Sequence, residues 1–324
     1  MTRFGQSGTQ PRLGIGPLRG GTPRTLEEGI SYADWTADGS SMAVVRETRP
    51  GTTLEYPVGT VLVRSTGYIA DVRISPQGDR LAFVEHEKDR NSSGTVAIVS
   101  KAGEKRVLTP SYFDVNGLAW CAKGDEVWFT AAPKGTPKCL RAVTVAGVER
   151  VVPVEGFSAA FAGLLPEGRG LWLSDTTPGH PARTWILDAD GSNPRPVTPE
   201  GVEAGHPWLT PDGKAVIGTS EGVLRIYPIV GGEPVSLRGV KDGEALAGWT
   251  DNGLSVFAYD LMQVPSTLYK VDPANGARVE FGRIGPADTA GVLGIEIHVT
   301  PDGQKTAFWV VENFRVLTLA EGLR

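Results

Sequence analysis

One glycine-ended turn, repeated seven times, constrains this chain more than any other feature of its sequence. The glycines are Gly39, Gly78, Gly124, Gly168, Gly213, Gly253 and Gly303, and they recur every 39 to 50 residues. The segments around them read YADWTADGSSMAVV, DVRISPQGDRLAFV, GLAWCAKGDEVWFT, FAGLLPEGRGLWLS, HPWLTPDGKAVIGT, LAGWTDNGLSVFAY and EIHVTPDGQKTAFW. Proline presets φ at the first turn position of several copies, Asp or Asn can close onto the backbone, and Gly accepts positive φ. A repeat of about 40–45 residues with about four strands per unit is the sequence signature of a β-propeller.

The residues before each turn alternate. The anchor position holds Trp35, Ile74, Trp120, Leu164, Leu209, Trp249 and Val299, and two residues earlier stand Ala33, Val72, Leu118, Ala162, Pro207, Ala247 and Ile297. A period of two with one apolar face predicts an inner strand. The strands after the turns (SMAVV, RLAFV, EVWFT, GLWLS, AVIGT, LSVFA, TAFWV) are nearly continuous apolar runs, as in sheets buried on both faces. No segment has convincing helical periodicity. The expected fold is therefore all-β, a seven-bladed propeller of four-stranded antiparallel blades. Residues 1–12 are expected to be irregular and 13–324 to form one domain. Residues 13–28 read as the third and fourth strands of a blade lacking its first two, and the last blade, ending in FRVLTLAEGLR, has three evident strands. The N-terminal segment near residues 22–28 is thus expected to pair with the last blade and close the ring, which removes an exposed edge. The truncated start also points to a piece of a longer parent.

Composition narrows the function. The 42 Gly and 24 Pro are spread evenly, which fits many turns rather than a disordered tail. A net charge of −5 with no long basic run disfavours nucleic acid and anionic membrane as partners. Cys121 and Cys139 are too few for a disulfide scaffold, lack zinc-site spacing, and read as buried thiols. No apolar run reaches the length of a membrane span and the start lacks a signal-peptide core, so the chain reads as cytoplasmic, or as extracytoplasmic if its parent is membrane-anchored.

The repeat resembles the TolB-type propeller, with SPDG-like turns on nearly every blade. It also resembles the C-terminal propeller region of bacterial transmembrane serine/threonine protein kinases. That second resemblance is carried by GGTPRTLEEGISYADWTADGSSMAVVR, LEYPVGTVLVRSTGYIADVRISPQGDRLAFVEH and GLAWCAKGDEVWFTAA. It implies a sensor-like module. Kinase chemistry does not carry over, because the chain has no Gly-rich nucleotide loop, strand lysine motif, HRD or DFG.

Three short motifs dissolve in context. GTSEG (residues 218–222) matches a nucleophile elbow but joins strand to strand, where the elbow needs a helix. DADGSN (residues 188–193) lacks the calcium-loop Gly and Glu positions and reads as a turn. The Asp-Gly turns miss the sialidase Asp box by one residue. The best candidate ligand site comes from register: residues one and three before the anchor face away from it, and the polar ones are Asp34, Asp71, Arg73, His206, Glu296 and His298. They are expected to line the central channel, with Asp34, Asp71, Arg73, Glu296 and His298 in one sector. No catalytic residue, metal or cofactor is assigned. The reading is a monomeric binding or sensing module for a protein, peptide or small ligand at the channel mouth or rim loops. Its alternative is a hydrolase or lyase using the channel's polar cluster.

Overall fold

A computed structural model describes residues 12–17, 24–36, 38–48, 50–87, 92–152, 159–165, 171–175, 179–188, 190, 192–202, 204–250, 253–300 and 302–312. They are all-β, in four-stranded antiparallel sheets, and among them no helix is long and apolar enough to cross a membrane. The N-terminal strands are β1 (Arg12–Pro17) and β2 (Arg24–Glu28). The described residues form two compact units, one within residues 30–242 and 273–276, the other within 12–29, 243–272 and 277–312.

The first unit holds five sheets, each a meander in chain order. They are β3 (Ile30–Trp35), β4 (Met42–Glu47), β5 (Thr52–Glu55) and β6 (Val61–Ser65); β7 (Tyr68–Ile74), β8 (Arg80–His86), β9 (Gly94–Ser100) and β10 (Lys105–Val107); β11 (Asp114–Trp120), β12 (Glu126–Ala132), β13 (Cys139–Thr144) and β14 (Glu149–Val151); β15 (Ala159–Leu164), β16 (Leu171–Asp175), β17 (Arg183–Leu187) and β18 (Arg195–Pro196); and β19 (Ala204–Leu209), β20 (Ala215–Ser220), β21 (Val223–Pro228) and β22 (Val235–Ser236). The first strands of the first four sheets lie side by side, β3 against β7, β7 against β11 and β11 against β15. The apolar second strands do what their composition predicts. Leu81, Ala82, Phe83 and Val84 on β8 are all buried, so both of its faces are covered. Phe83 packs with Leu81 and with Val45 and Leu54 of the preceding sheet in one cluster. Val84 and Ala82 join Leu118, Val127 and Phe129 of the following sheet in another. Burying one such side chain contributes roughly 1.5–3 kcal/mol.

The second unit holds the sheet β23 (Glu244–Trp249), β24 (Val256–Asp260), β25 (Ser266–Val271) and β26 (Arg278–Ile284), and a sheet built from both ends of the described chain. In the latter, β27 (Val292–Val299) pairs with β28 (Lys305–Glu312), β28 with β1, and β1 with β2. Leu13 sits opposite Trp309 and is buried. The N-terminal strands thus complete the last sheet, but the segment near residues 22–28 is not the one that pairs with it: β1 makes the contact and β2 lies outside β1. The segment 314–324, read as a third C-terminal strand, lies outside the described residues.

The turns are built alike. Six of the seven turn glycines are described, and all have φ between 65° and 71°. Before them, Thr36, Thr210 and Thr300 donate their hydroxyls to Asp38, Asp212 and Asp302 and accept the N–H of the residue five positions on. The carboxylates accept the N–H of Ser40, Lys214 and Gln304. The hydroxyl and backbone bonds hold all three acids below the usual carboxylate range, Asp38 at about 2. Cys121 occupies the same slot, its Sγ donating to Asp125 at 2.9 Å. Both cysteines are half-buried rather than fully buried. Burial and the Asp125 contact raise the Cys121 thiol, so it is a poor nucleophile.

Candidate functional site

Every inner strand carries a register shift, and on β7 it falls between Ala70 and Arg73. Asp71, inside that shift, takes φ 51°, a left-handed conformation uncommon for any residue but Gly, Asn or Asp. Its Oδ2 accepts the N–H of Gly117 on β11 at 3.2 Å. One sheet earlier, Asp34 on β3 does the same for β7, accepting the Ile74 N–H at 2.8 Å. The indole of Trp120 adds a third link of this kind, donating to the Arg73 carbonyl at 3.0 Å. Each bond joins the first strand of one sheet to the first strand of the next. Burial pushes the Asp34 carboxyl up, against the opposing Arg73 charge and the Ile74 and Trp35 N–H groups. The Arg73 guanidinium donates to the Val72 carbonyl at 2.8 Å. Asp34, Asp71 and Arg73 are thus brought together, with both carboxylates occupied by backbone.

His206 is placed on β19 by the backbone, and its side chain lies outside the described residues.

In the second unit the alternation on β27 is clean: Ile295, Ile297 and Val299 are buried, while Glu296 and His298 are half-buried on the other face. Their partners are each other, His298 Nε2 lying 3.1 Å from Glu296 Oε1. Trp309 on β28 meets the imidazole edge-on, ring centroids 5.4 Å apart. Behind them the buried Tyr259 hydroxyl accepts the Ile297 N–H at 3.0 Å, which fixes the strand. Register put both residues on one face of β27, where the structure has them. Trp309 and Tyr259 were missed because each looks like an ordinary core aromatic inside an apolar run.

The discarded motifs fold as turns. Glu221 and Gly222 of GTSEG, both at positive φ, form a two-residue hairpin between Ser220 and Val223. Asp188 is occupied by Asn193 at 2.7 Å and Arg195 at 3.0 Å. The LEYPVG stretch is also structural: the Glu55 carboxylate takes Arg46 at 2.7 Å and the Gly59 N–H at 2.9 Å. The Tyr56 hydroxyl donates to the Gly78 carbonyl of the next sheet's turn at 3.1 Å.

No protein-family profile matches the chain, and no curated protein matches it in sequence. Solved structures do match it in fold. An oligogalacturonate lyase in complex with manganese superposes with a TM-score of 0.62 at 17% identity, over 86% of this chain and 87% of its own. An oligogalacturonate lyase from Vibrio parahaemolyticus gives 0.61 at 14% identity, over 86% and 88%. A TolB-type protein from Agrobacterium tumefaciens gives 0.53 at 15% identity, over 96% and 100%. The fold class is accordingly the β-propeller. Among the described residues no group of three or more His, Cys, Asp or Glu side chains converges to hold a metal.

Proposed function

We propose that this chain is a binding module that holds a peptide, protein segment or small ligand at the face of β27 carrying Glu296 and His298. The observation that supports this most is the contrast in how acidic side chains on inner strands are used. Asp34 and Asp71 bond to neighbouring backbone, whereas among the described residues Glu296 and His298 bond to each other, a contact that a ligand can replace. The TolB-type likeness fits a binding role. Arg73 and His206 are secondary candidates for ligand contact. The finer reading, a sensor module of a bacterial serine/threonine kinase, rests on the sequence resemblance alone.

A second reading, a lyase, is favoured by the manganese-bound neighbour. A His and a carboxylate suit such a cation. The described residues offer Glu296 and His298 together and no third ligand beside them, so they do not fit a manganese site. One pair of experiments separates the readings. Phage-displayed random peptides selected on the parent should be retained at least tenfold less on a Glu296→Gln/His298→Ala variant. Oligogalacturonate incubated with parent and manganese should show no new unsaturated product. Manganese-dependent turnover in the parent that disappears in the variant would replace the binding reading with the lyase.

A further inference from the structure

Two loops of the second unit form a lip just before Glu296 on β27. The first, residues 261–265, joins β24 to β25, and the second, residues 285–291, joins β26 to β27. Glycine lets them approach. A Cβ on Gly285 would sit 2.8 Å from the Pro265 Cα, and one on Gly294 would sit 3.0 Å from the Leu261 carbonyl oxygen. That carbonyl accepts the Ile295 N–H at 2.9 Å, which ties the first loop to β27. The Asp260 carboxylate holds the Met262 N–H at 2.8 Å, and Asp288 holds the Ala290 N–H at 2.9 Å, so both loops have a defined shape.

The lip presents what a folded surface usually hides. Met262 is 76% exposed, Leu293 53% and Leu261 39%, on segments that pack against one another. Grouped exposed apolar side chains mark interaction sites, and Met adapts its shape to varied partners. The charge beside them is of one sign. Asp260 and Asp288 are exposed, Glu296 lies two residues beyond Gly294, and residues 260–266 and 284–294 contain no Lys or Arg. In sequence the next cation is Arg283, exposed at the end of β26.

We infer that this lip docks an extended peptide in which an apolar side chain is flanked by Lys or Arg. The apolar side chain sits on Met262 and Leu293, and its basic neighbours face Asp260, Asp288 and Glu296. The inference rests on the binding reading above and names the partner's chemistry.

The test is fluorescence anisotropy at low salt, with the full chain and three labelled ten-residue peptides. One carries a Lys-Leu-Lys core between Gly and Ser. In the controls Glu replaces Lys, or Ser replaces Leu. The first peptide should bind at least tenfold more tightly than either control, and Met262→Asp and Leu293→Asp should each remove that preference. Met262→Ser, milder at an exposed position, should weaken it severalfold, and thermal melts within a few degrees of the parent establish that the variants fold. Equal affinity for the Glu control, no binding of the Lys-Leu-Lys peptide, or full affinity in the Met262 and Leu293 variants would overturn the inference. A Glu296→Gln/His298→Ala arm separates the two claims. Unchanged binding there removes that pair from the proposed site while the lip stands.

Discussion

Polar residues in equivalent places on inner strands do different work in the two units. On β3 and β7, Asp34 and Asp71 reach sideways to a backbone N–H of the next sheet, so they act as rivets. On β27, Glu296 and His298 reach along their own strand to each other. A buried N–H that loses its acceptor costs about 1–3 kcal/mol, whereas a half-exposed polar side-chain pair contributes about 1 kcal/mol or less. Polar residues in the same register therefore tie sheet to sheet in one unit and pair within one strand in the other.

Three measurements can break or sharpen that contrast. The largest effect is expected at Trp120, which is buried and also donates to Arg73. Trp120→Ala should cost about 3–5 kcal/mol in urea unfolding. The corresponding change at Trp35 or Trp249, which are only half-buried, should cost less. Equal losses at all three would mean the anchors are interchangeable and the link to Arg73 adds nothing.

Next come the carboxylates. Asp34→Ala and Asp71→Ala should each destabilise by about 1–3 kcal/mol, through the orphaned N–H of Ile74 and Gly117. Glu296→Gln and His298→Ala should each stay within about 1 kcal/mol of the parent. If the β27 variants lose as much as the β3 and β7 variants, the pair is a structural rivet too, and the binding proposal loses its main support.

The smallest effect is a slope with pH. Asp34 has a raised carboxyl pKa, so its contribution is complete below the ordinary value of about 3.9 and is lost as pH rises through the folded pKa. Asp212 and Asp302 are lowered, so theirs is present above about 3.9 and lost as pH falls through the folded values. Urea midpoints from pH 2.5 to 7 should show Asp34→Asn gaining on the parent as pH rises. An Asp212→Asn/Asp302→Asn variant should fall behind the parent over the same range. Parallel curves for either variant would contradict the assigned direction.

Much of the fold was legible because the turn chemistry is local. Thr, Asp and Gly within a few residues close the hairpins at Gly39, Gly213 and Gly303 whatever surrounds them, so each of these glycines announces two strands at once. The completion of the last sheet was legible too, since residues 13–28 look like outer strands without inner ones. What register could not reveal is where a side chain's hydrogen bond goes. Asp34 and Glu296 look alike in the alternation, and only the 2.8 Å approach of the Ile74 N–H distinguishes them. The left-handed turn at Asp71 was equally hidden, because it arises from a bulge that alternation assumes away. The lip at Met262 depends on two loops meeting, and each alone reads as an unremarkable connection.

The pairing of β1 with β28 has a consequence in time. Leu13 leaves the ribosome well before its partner Trp309. At roughly 5–20 residues per second, the first strands wait on the order of tens of seconds with an apolar edge uncovered. The sheets of the first unit need only neighbours close in sequence and can form as they emerge. Among the described sheets, the one holding β1 and β28 pairs strands that lie far apart in sequence. During synthesis, then, β1 is the strand with the longest opportunity to find a wrong partner.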